Sequence, residues 1–104
     1  MLYIVYIAVD RDRIEEWERW MRRVHVPDVL ETGCFSDATM ARDAGRDTDE
    51  RAAYRIVYRA HSKEAFEEYQ SEHAAALQEE HTERYAGAFE ASRDLLDVVE
   101  RFDA

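Results

Sequence analysis

The sequence predicts an α+β fold with the element order βαββαβ, because apolar segments suited to strands alternate with two long helical patterns. A short polar loop joins the two middle strands into a hairpin, and each outer connection contains a helix. Right-handed crossovers then place the first and third strands in the centre of a four-stranded antiparallel sheet. Both helices lie on one face of that sheet, which is the ferredoxin-like arrangement. We expect residues 1–104 to form a single domain of this kind.

The first strand, residues 2–9, is apolar on both faces of its pleat. One face carries Tyr3, Val5, Ile7 and Val9, and the other carries Ile4, Tyr6 and Ala8. Two apolar faces are typical of a central strand in a sheet that is covered on both sides.

The first helix is predicted from an apolar stripe at helical spacing, formed by Ile14, Trp17, Met21 and Val24. Asp12, with Glu15 three residues later, fits a capping pattern at the start of this helix. Pro27 disfavours the α conformation at the residue before it, so the helix should stop near Val24 or His25. A short second helix is then expected to begin at Pro27 and to end at Gly33.

The rest of the chain supplies three strands and one long helix. Residues 34–42 and 52–60 form the hairpin, and the more polar of the two strands suits an edge of the sheet. Ser62 caps a helix over residues 63–85. One side of this helix presents Phe66, Tyr69, His73, Leu77, His81 and Arg84. Residues 89–102 are expected to form a last strand or strand pair.

Two helices leave the second face of the sheet uncovered. We place on this face the side chains of Ile4, Tyr6, Ala8, Val57, Arg55, Arg59 and Arg93. An exposed apolar patch of this kind is unusual for a monomer. We therefore expect a homodimer that packs through the open sheet face, since twofold dimers are the commonest oligomers.

The charge balance and the cysteine content narrow the class of protein. Acidic residues exceed Lys and Arg by ten, so we expect no binding to nucleic acid or to anionic membranes. No segment approaches the roughly 20 apolar residues of a membrane span, and the apolar start lacks the basic residues of a secretory signal. The only cysteine, Cys34, is expected to be a buried structural thiol, and the expected location is the cytoplasm.

The basic residues are unevenly chosen, with Lys63 the only lysine beside thirteen arginines. Excess carboxylate with almost no lysine suits a halophilic protein, because high salt screens the repulsion between like charges. A GC-rich genome, which favours codons for Arg, Ala, Asp and Glu, explains the same composition equally well.

Three histidines are the candidates for a polar or catalytic site: His25 on the first helix, and His73 and His81 on the second. Each also has a structural explanation, as a helix-terminal or hydrogen-bonded core residue. His73 and His81 are separated by about 12 Å of helix, which is too far for both to ligate one zinc ion. The chain has no phosphate-binding loop, nucleophile signature or paired ligand motif, so we expect no metal and no cofactor.

Two groups of motifs are specific enough to compare with known families. The first is Trp17-x-x-Trp20-Met21 with His25-Val26-Pro27-Asp28-Val29-Leu30-x-Thr32-Gly33-x-Phe35. The second is Tyr69-Gln70-x-Glu72-His73-Ala74-x-x-Leu77-x-x-Glu80-His81 with Arg93-x-Leu95-Leu96-x-Val98-Val99. Together they resemble the signature of a family of short bacterial proteins classed as a domain of unknown function. This chain has alanines between His73 and Leu77, where the family usually has a proline.

The resemblance implies a ferredoxin-like fold akin to dimeric α+β barrels, without an established activity. Barrel relatives include cofactor-independent monooxygenases, haem-degrading enzymes and small isomerases, and fold alone does not carry function. In one hypothesis the protein is a homodimer that binds a small ligand in a groove between sheet and helices. In the other it is a small-molecule enzyme, in which His25, His73 and His81 form the polar site and Arg93 binds an anionic substrate.

Overall fold

The computed structural model describes residues 1–104 and confirms the ferredoxin-like fold. Its four antiparallel strands are β1 (Leu2–Asp10), β2 (Phe35–Arg42), β3 (Arg51–Ala60) and β4 (Phe89–Leu96). The order across the sheet is β2-β3-β1-β4, so the first and third strands are central, as predicted. Residues 97–104 follow β4 without regular structure, so the last strand is shorter than the predicted range. None of the helices has the length and apolar character needed to cross a bilayer.

The first helical region is continuous, and the predicted break before Pro27 is wrong. Helix α1 (Ile14–Trp20) passes through a π-helical turn, Met21–His25, directly into α2 (Val26–Glu31). Val26 keeps helical angles, with φ −62° and ψ −45°, and its N–H bonds to a carbonyl five residues back. The wider turn accommodates Pro27, which lacks an N–H and would crowd the carbonyl four residues before it in a regular α-helix.

The second helical region, in contrast, is interrupted. Helix α3 (Lys63–Glu72) and helix α4 (Ala74–Tyr85) are separated by His73, whose φ of −127° lies outside the helical range. The interruption moves the buried side of the helix by one position, so Ala74 is buried where an unbroken helix would bury His73. From Ala74 the buried side continues through His81 to the end of α4.

The helix ends agree only in part with the predicted caps. Ser62 Oγ accepts a hydrogen bond from the N–H of Ala65 at 3.0 Å, as expected for a cap of α3. Asp12 caps nothing, because a 3-10 turn precedes α1 and no side chain bonds to its first N–H groups. Gly33 ends the turn after α2 with a φ of +79°, a conformation that favours glycine.

The core lies between the helices and the side of the sheet that faces them. Its largest fully buried side chains include Trp17, Met21, Ile56 and Tyr85. Cys34 is fully buried within this core, as predicted. The core is rich in aromatic rings, which gives it large apolar area together with several polar atoms that need partners.

The open face, the side of the sheet away from the helices, has an apolar centre and a charged rim. Ile4 at its centre is only 7% exposed even in a single chain. The guanidinium groups of Arg46 and Arg55 lie over the ring of Tyr6, 5.0 and 4.8 Å from its centre. At the rim, Arg59 pairs with an aspartate of β2 at 3.3 Å. The apolar centre of the open face is therefore continuous with a ring of ion-paired arginines.

Candidate functional site

A small cavity lies between the helices and the helix-facing side of β1, β3 and β4. Its volume is about 40 Å³, far below the roughly 300–1,000 Å³ of pockets that hold drug-sized ligands. Most of its wall is aromatic or aliphatic. The polar part of the wall comprises Tyr3, His25, Tyr58, Tyr69, Gln78, His81, Thr82 and Arg93, and no aspartate or glutamate lines the cavity.

His81 reaches this cavity from α4 and is only 5% exposed. The indole Nε1–H of Trp17 donates a hydrogen bond to Nε2 of His81 at 2.9 Å. Because an indole nitrogen can only donate, the proton of the neutral imidazole must be on Nδ1. That N–H forms no hydrogen bond within the chain, so His81 has a donor available for a ligand.

His25 lies beside His81 and belongs to the π-helical turn. Its ring stacks on Trp20 with 5.1 Å between ring centres, and the two imidazole centres are 5.7 Å apart. Nδ1 of His25 is buried and has no hydrogen-bond partner. Unpaired buried polar atoms are rare in folded proteins, and π-helical turns are frequent at functional sites. His25 is therefore the residue of this cavity that the fold explains least.

Both imidazoles are neutral at pH 7. The pKa of His25 is lowered to about 4, mainly by burial; the charge of Asp28 opposes this shift, and the charge of Arg93 adds to it. Burial also lowers the pKa of His81 to about 4, with smaller contributions from His25 and Arg93. The phenols of the wall likewise stay protonated, because burial raises the pKa of Tyr3, Tyr58 and Tyr69.

Arg93 is at the mouth of this cavity, which corrects its predicted position on the open face. It pairs across the sheet with Val5, and both side chains belong to the helix-facing side. The helices cover only the start of β4, at Phe89, so Arg93 and Leu95 are exposed although they are on that side. The guanidinium forms no ion pair, and the cavity wall around it contains no carboxylate; its polar neighbour there is the hydroxyl of Tyr3. Arg93 thus provides an unpaired positive charge at the entrance to the cavity.

The structure brings His25, His81 and Arg93 together and leaves His73 apart. His73 is half-buried at the α3–α4 junction, where a shallow surface depression also contains Asp28 and Glu72. No group of three or more His, Cys, Asp or Glu side chains is arranged to hold a metal ion.

Sequence reasoning missed the part that Trp17 and the tyrosines take in the cavity. Tyr3 and Tyr58 are paired on the two central strands, so alternation along those strands could have identified them as neighbours. The contact between Trp17 and His81 joins residues that are 64 positions apart. No local pattern encodes a contact of that range.

Three solved structures share this fold over nearly the whole chain. A dimeric ferredoxin-like protein from an uncultured marine organism is 16% identical, with a TM-score of 0.69, and 99% of this chain and 98% of that chain are covered. HapK from Hahella chejuensis is 15% identical, with a TM-score of 0.65 and coverage of 100% and 99%. SnoaB, a cofactor-independent oxygenase from Streptomyces nogalater, is 16% identical, with a TM-score of 0.64 and coverage of 99% and 97%. At this identity the similarity establishes the fold alone.

No curated protein matches the chain. The model of a family described as a domain of unknown function, DUF4286, matches residues 1–99. Because this match covers almost the whole sequence, the protein belongs to the DUF4286 family.

Proposed function

We propose that the protein is a homodimer that binds a small organic molecule in the cavity between sheet and helices. The observation that carries this proposal is the buried, unpaired Nδ1 of His25, beside the free N–H of His81 and the unpaired guanidinium of Arg93. Leaving a buried polar atom without a partner costs about 1–3 kcal/mol. That cost applies to Nδ1 of His25, and a ligand that gives this atom a partner recovers it on binding. The N–H of His81 and the guanidinium of Arg93 offer further hydrogen bonds, so the site favours a partner with complementary polar groups.

Binding fits the site better than catalysis does. An imidazole with a pKa of about 4 is a weak general base at pH 7, because proton transfer is most effective when the pKa is near the working pH. The wall contains no cysteine or serine that could act as a nucleophile. Its polar groups are donors and neutral acceptors, which recognise a ligand without altering it.

A small-molecule enzyme is the second candidate, and one observation favours it. The fold is that of SnoaB, a cofactor-independent oxygenase. In this alternative His25 accepts a proton from the substrate, His81 donates a hydrogen bond to it, and Arg93 holds an anionic group. His73 takes no part in either function, because it lies outside the cavity.

A fragment screen by NMR tests the binding proposal. The indole N–H signal of Trp17 and the imidazole signals of His25 and His81 report on the cavity, and we expect some fragments to shift them. Ala91 lines the mouth on β4, so an Ala91→Phe variant should abolish these shifts. Ala75→Phe makes the same change at an exposed position of α4 and should not. A screen in which no fragment shifts these signals would overturn the proposal, whereas conversion of a bound fragment into product would favour the enzyme.

The homodimer is supported by the apolar centre of the open face and by the dimeric state named for one structural neighbour. Light scattering should give twice the chain mass of 12.3 kDa. Val57→Glu introduces a carboxylate into the centre of the open face and should yield a monomer, because a buried unpaired charge is costly. Ala76→Glu, on the exposed surface of α4, is the control. A mass of one chain for the unaltered protein at micromolar concentration contradicts the dimer.

A further inference from the structure

The cavity contains no carboxylate, although the protein is acidic. The chain has 24 acidic residues, yet none lines the cavity, where Arg93 provides the only formal charge. Nine of the thirteen arginines pair with a carboxylate, and Arg93 is not among them. A guanidinium presents several N–H donors in a planar fork that matches a carboxylate. The unpaired charge at the mouth therefore selects for an anion.

The groups deeper in the cavity also favour an anion. The hydrogen bond from Trp17 fixes the proton of His81 on Nδ1, so this ring presents a donor. The hydroxyls of Tyr3 and Tyr69 are further donors, since both phenols stay protonated. The positive charge of Arg93 acts on the pKa of these phenols and of both imidazoles, so its field extends across the site.

The remaining wall sets the shape of the ligand. Aromatic and aliphatic side chains such as Met21, Ile56 and Phe89 enclose most of the space. The rings of Phe89 and His81 meet edge to face, with 4.4 Å between their centres. An apolar cavity of roughly 150 Å³ binds benzene, so at about 40 Å³ this cavity admits a ring only when its side chains move apart. A thin, flat, apolar body needs the smallest movement.

We infer that the cavity binds a small organic monoanion, with its carboxylate at Arg93 and a flat apolar body, such as one aromatic ring, between the sheet and the histidines. This inference rests on the proposed function and names the class of ligand. A single guanidinium without a second cation favours one negative charge over two. A cationic ligand is disfavoured, because it would approach Arg93 without a carboxylate to offset the repulsion.

Titration calorimetry with the full chain and three matched probes tests the inference: benzoate, benzamide and benzylamine. A hydrogen bond to a charged group contributes roughly 1.5–3 kcal/mol, so we expect benzoate to bind at least about tenfold more tightly than benzamide. Benzylamine should not bind. Arg93→Gln should weaken benzoate about tenfold or more and leave benzamide unchanged, while Arg19→Gln, at an exposed unpaired arginine of α1, should change neither.

Three results overturn the inference. They are equal affinity for benzoate and benzamide, an affinity for benzoate that Arg93→Gln leaves unchanged, and no binding of benzoate at all. If the fragment screen nevertheless yields neutral or cationic ligands, the cavity still binds small molecules and only the anionic class is wrong. If no fragment binds, the proposed function fails together with the inference. Circular dichroism of Arg93→Gln checks that this exposed substitution leaves the fold intact.

Discussion

The indole Nε1–H of Trp17 donates to Nε2 of His81 at 2.9 Å, and neither side chain is more than 5% exposed. This contact joins α1 to α4 across the core and places the free N–H of His81 on the cavity side of the ring. The hydrogen bond therefore contributes both to the packing of the core and to the recognition of a ligand. The same bond that satisfies a buried imidazole nitrogen also determines which hydrogen-bonding group a ligand meets.

Trp17→Phe should destabilise the protein by more than the loss of packing alone. The substitution leaves Nε2 of His81 buried without a partner, which adds about 1–3 kcal/mol to the free-energy loss. Trp20→Phe is the matched control, because Trp20 is also buried but its indole N–H makes no hydrogen bond within the chain. Urea denaturation of both variants measures the difference. Equal losses in the two variants would show that the bond contributes nothing.

Stability should fall on mild acidification through His25 and His81. Both have a folded-state pKa of about 4, below the unfolded value of about 6.5, so the unfolded chain binds more protons between these values. Stability is therefore complete above about pH 6.5 and is lost as the pH falls towards 4, by roughly 3 kcal/mol for each histidine. Chemical denaturation at several pH values measures this slope.

Two variants test whether the loss of stability between pH 6.5 and 4 comes from the histidines of the cavity. His25→Leu removes one of the two imidazoles and should reduce the loss of stability between pH 6.5 and 4 by about half, since His81 remains. His61→Leu removes an exposed imidazole that makes no side-chain hydrogen bond. It should leave the pH dependence of stability unchanged. A slope that is the same in both variants contradicts the assignment.

The fold was predictable because its signals are local. The apolar run of residues 2–9 and the alternation along residues 52–60 identified two strands, and right-handed crossovers placed them in the centre of the sheet. The helical stripe that contains Trp17 identified α1. The π-helical turn and the interruption at His73 were not predictable, because each depends on how a helix packs against the sheet. Each shifts the hydrogen bonding or the buried side of a helix by one residue. The spacing of apolar residues in a sequence does not resolve so small a shift.

The sequence indicated which residues form the site better than it indicated how they are arranged. His25 and His81 stood out as polar groups on apolar helix faces, and the structure brings them together. Arg93 was assigned to the wrong face although the strand was expected to begin at Phe89, because the sequence does not show how the last strand is aligned with its neighbour in the sheet. A shift of one residue in a strand moves every side chain to the opposite face. Only the pairing of Arg93 with Val5 resolves it.

The hydroxyl of Ser62 should contribute about 1 kcal/mol to stability. It accepts a hydrogen bond from the N–H of Ala65 at the start of α3, and loss of such a cap typically costs 0.5–2 kcal/mol. Ser62→Ala removes the cap. Ser71→Ala makes the same change inside α3, where alanine favours the helix, so no loss is expected there. Thermal unfolding of both variants measures the difference, and equal melting temperatures would rule out a role for the cap.

The melting temperature should rise between low salt and about 1 M KCl if the acidic composition is an adaptation to salt. The net charge of −10 repels itself in the folded state, and salt screens this repulsion. The ion pairs are also screened, but exposed pairs contribute little to stability. The double variant Glu79→Lys with Glu83→Lys reverses the charge at two exposed, unpaired positions. Each change adds +2, so the net charge goes from −10 to −6. The rise in melting temperature with salt should then be smaller. A melting temperature that does not change with salt would leave the GC-rich genome as the explanation.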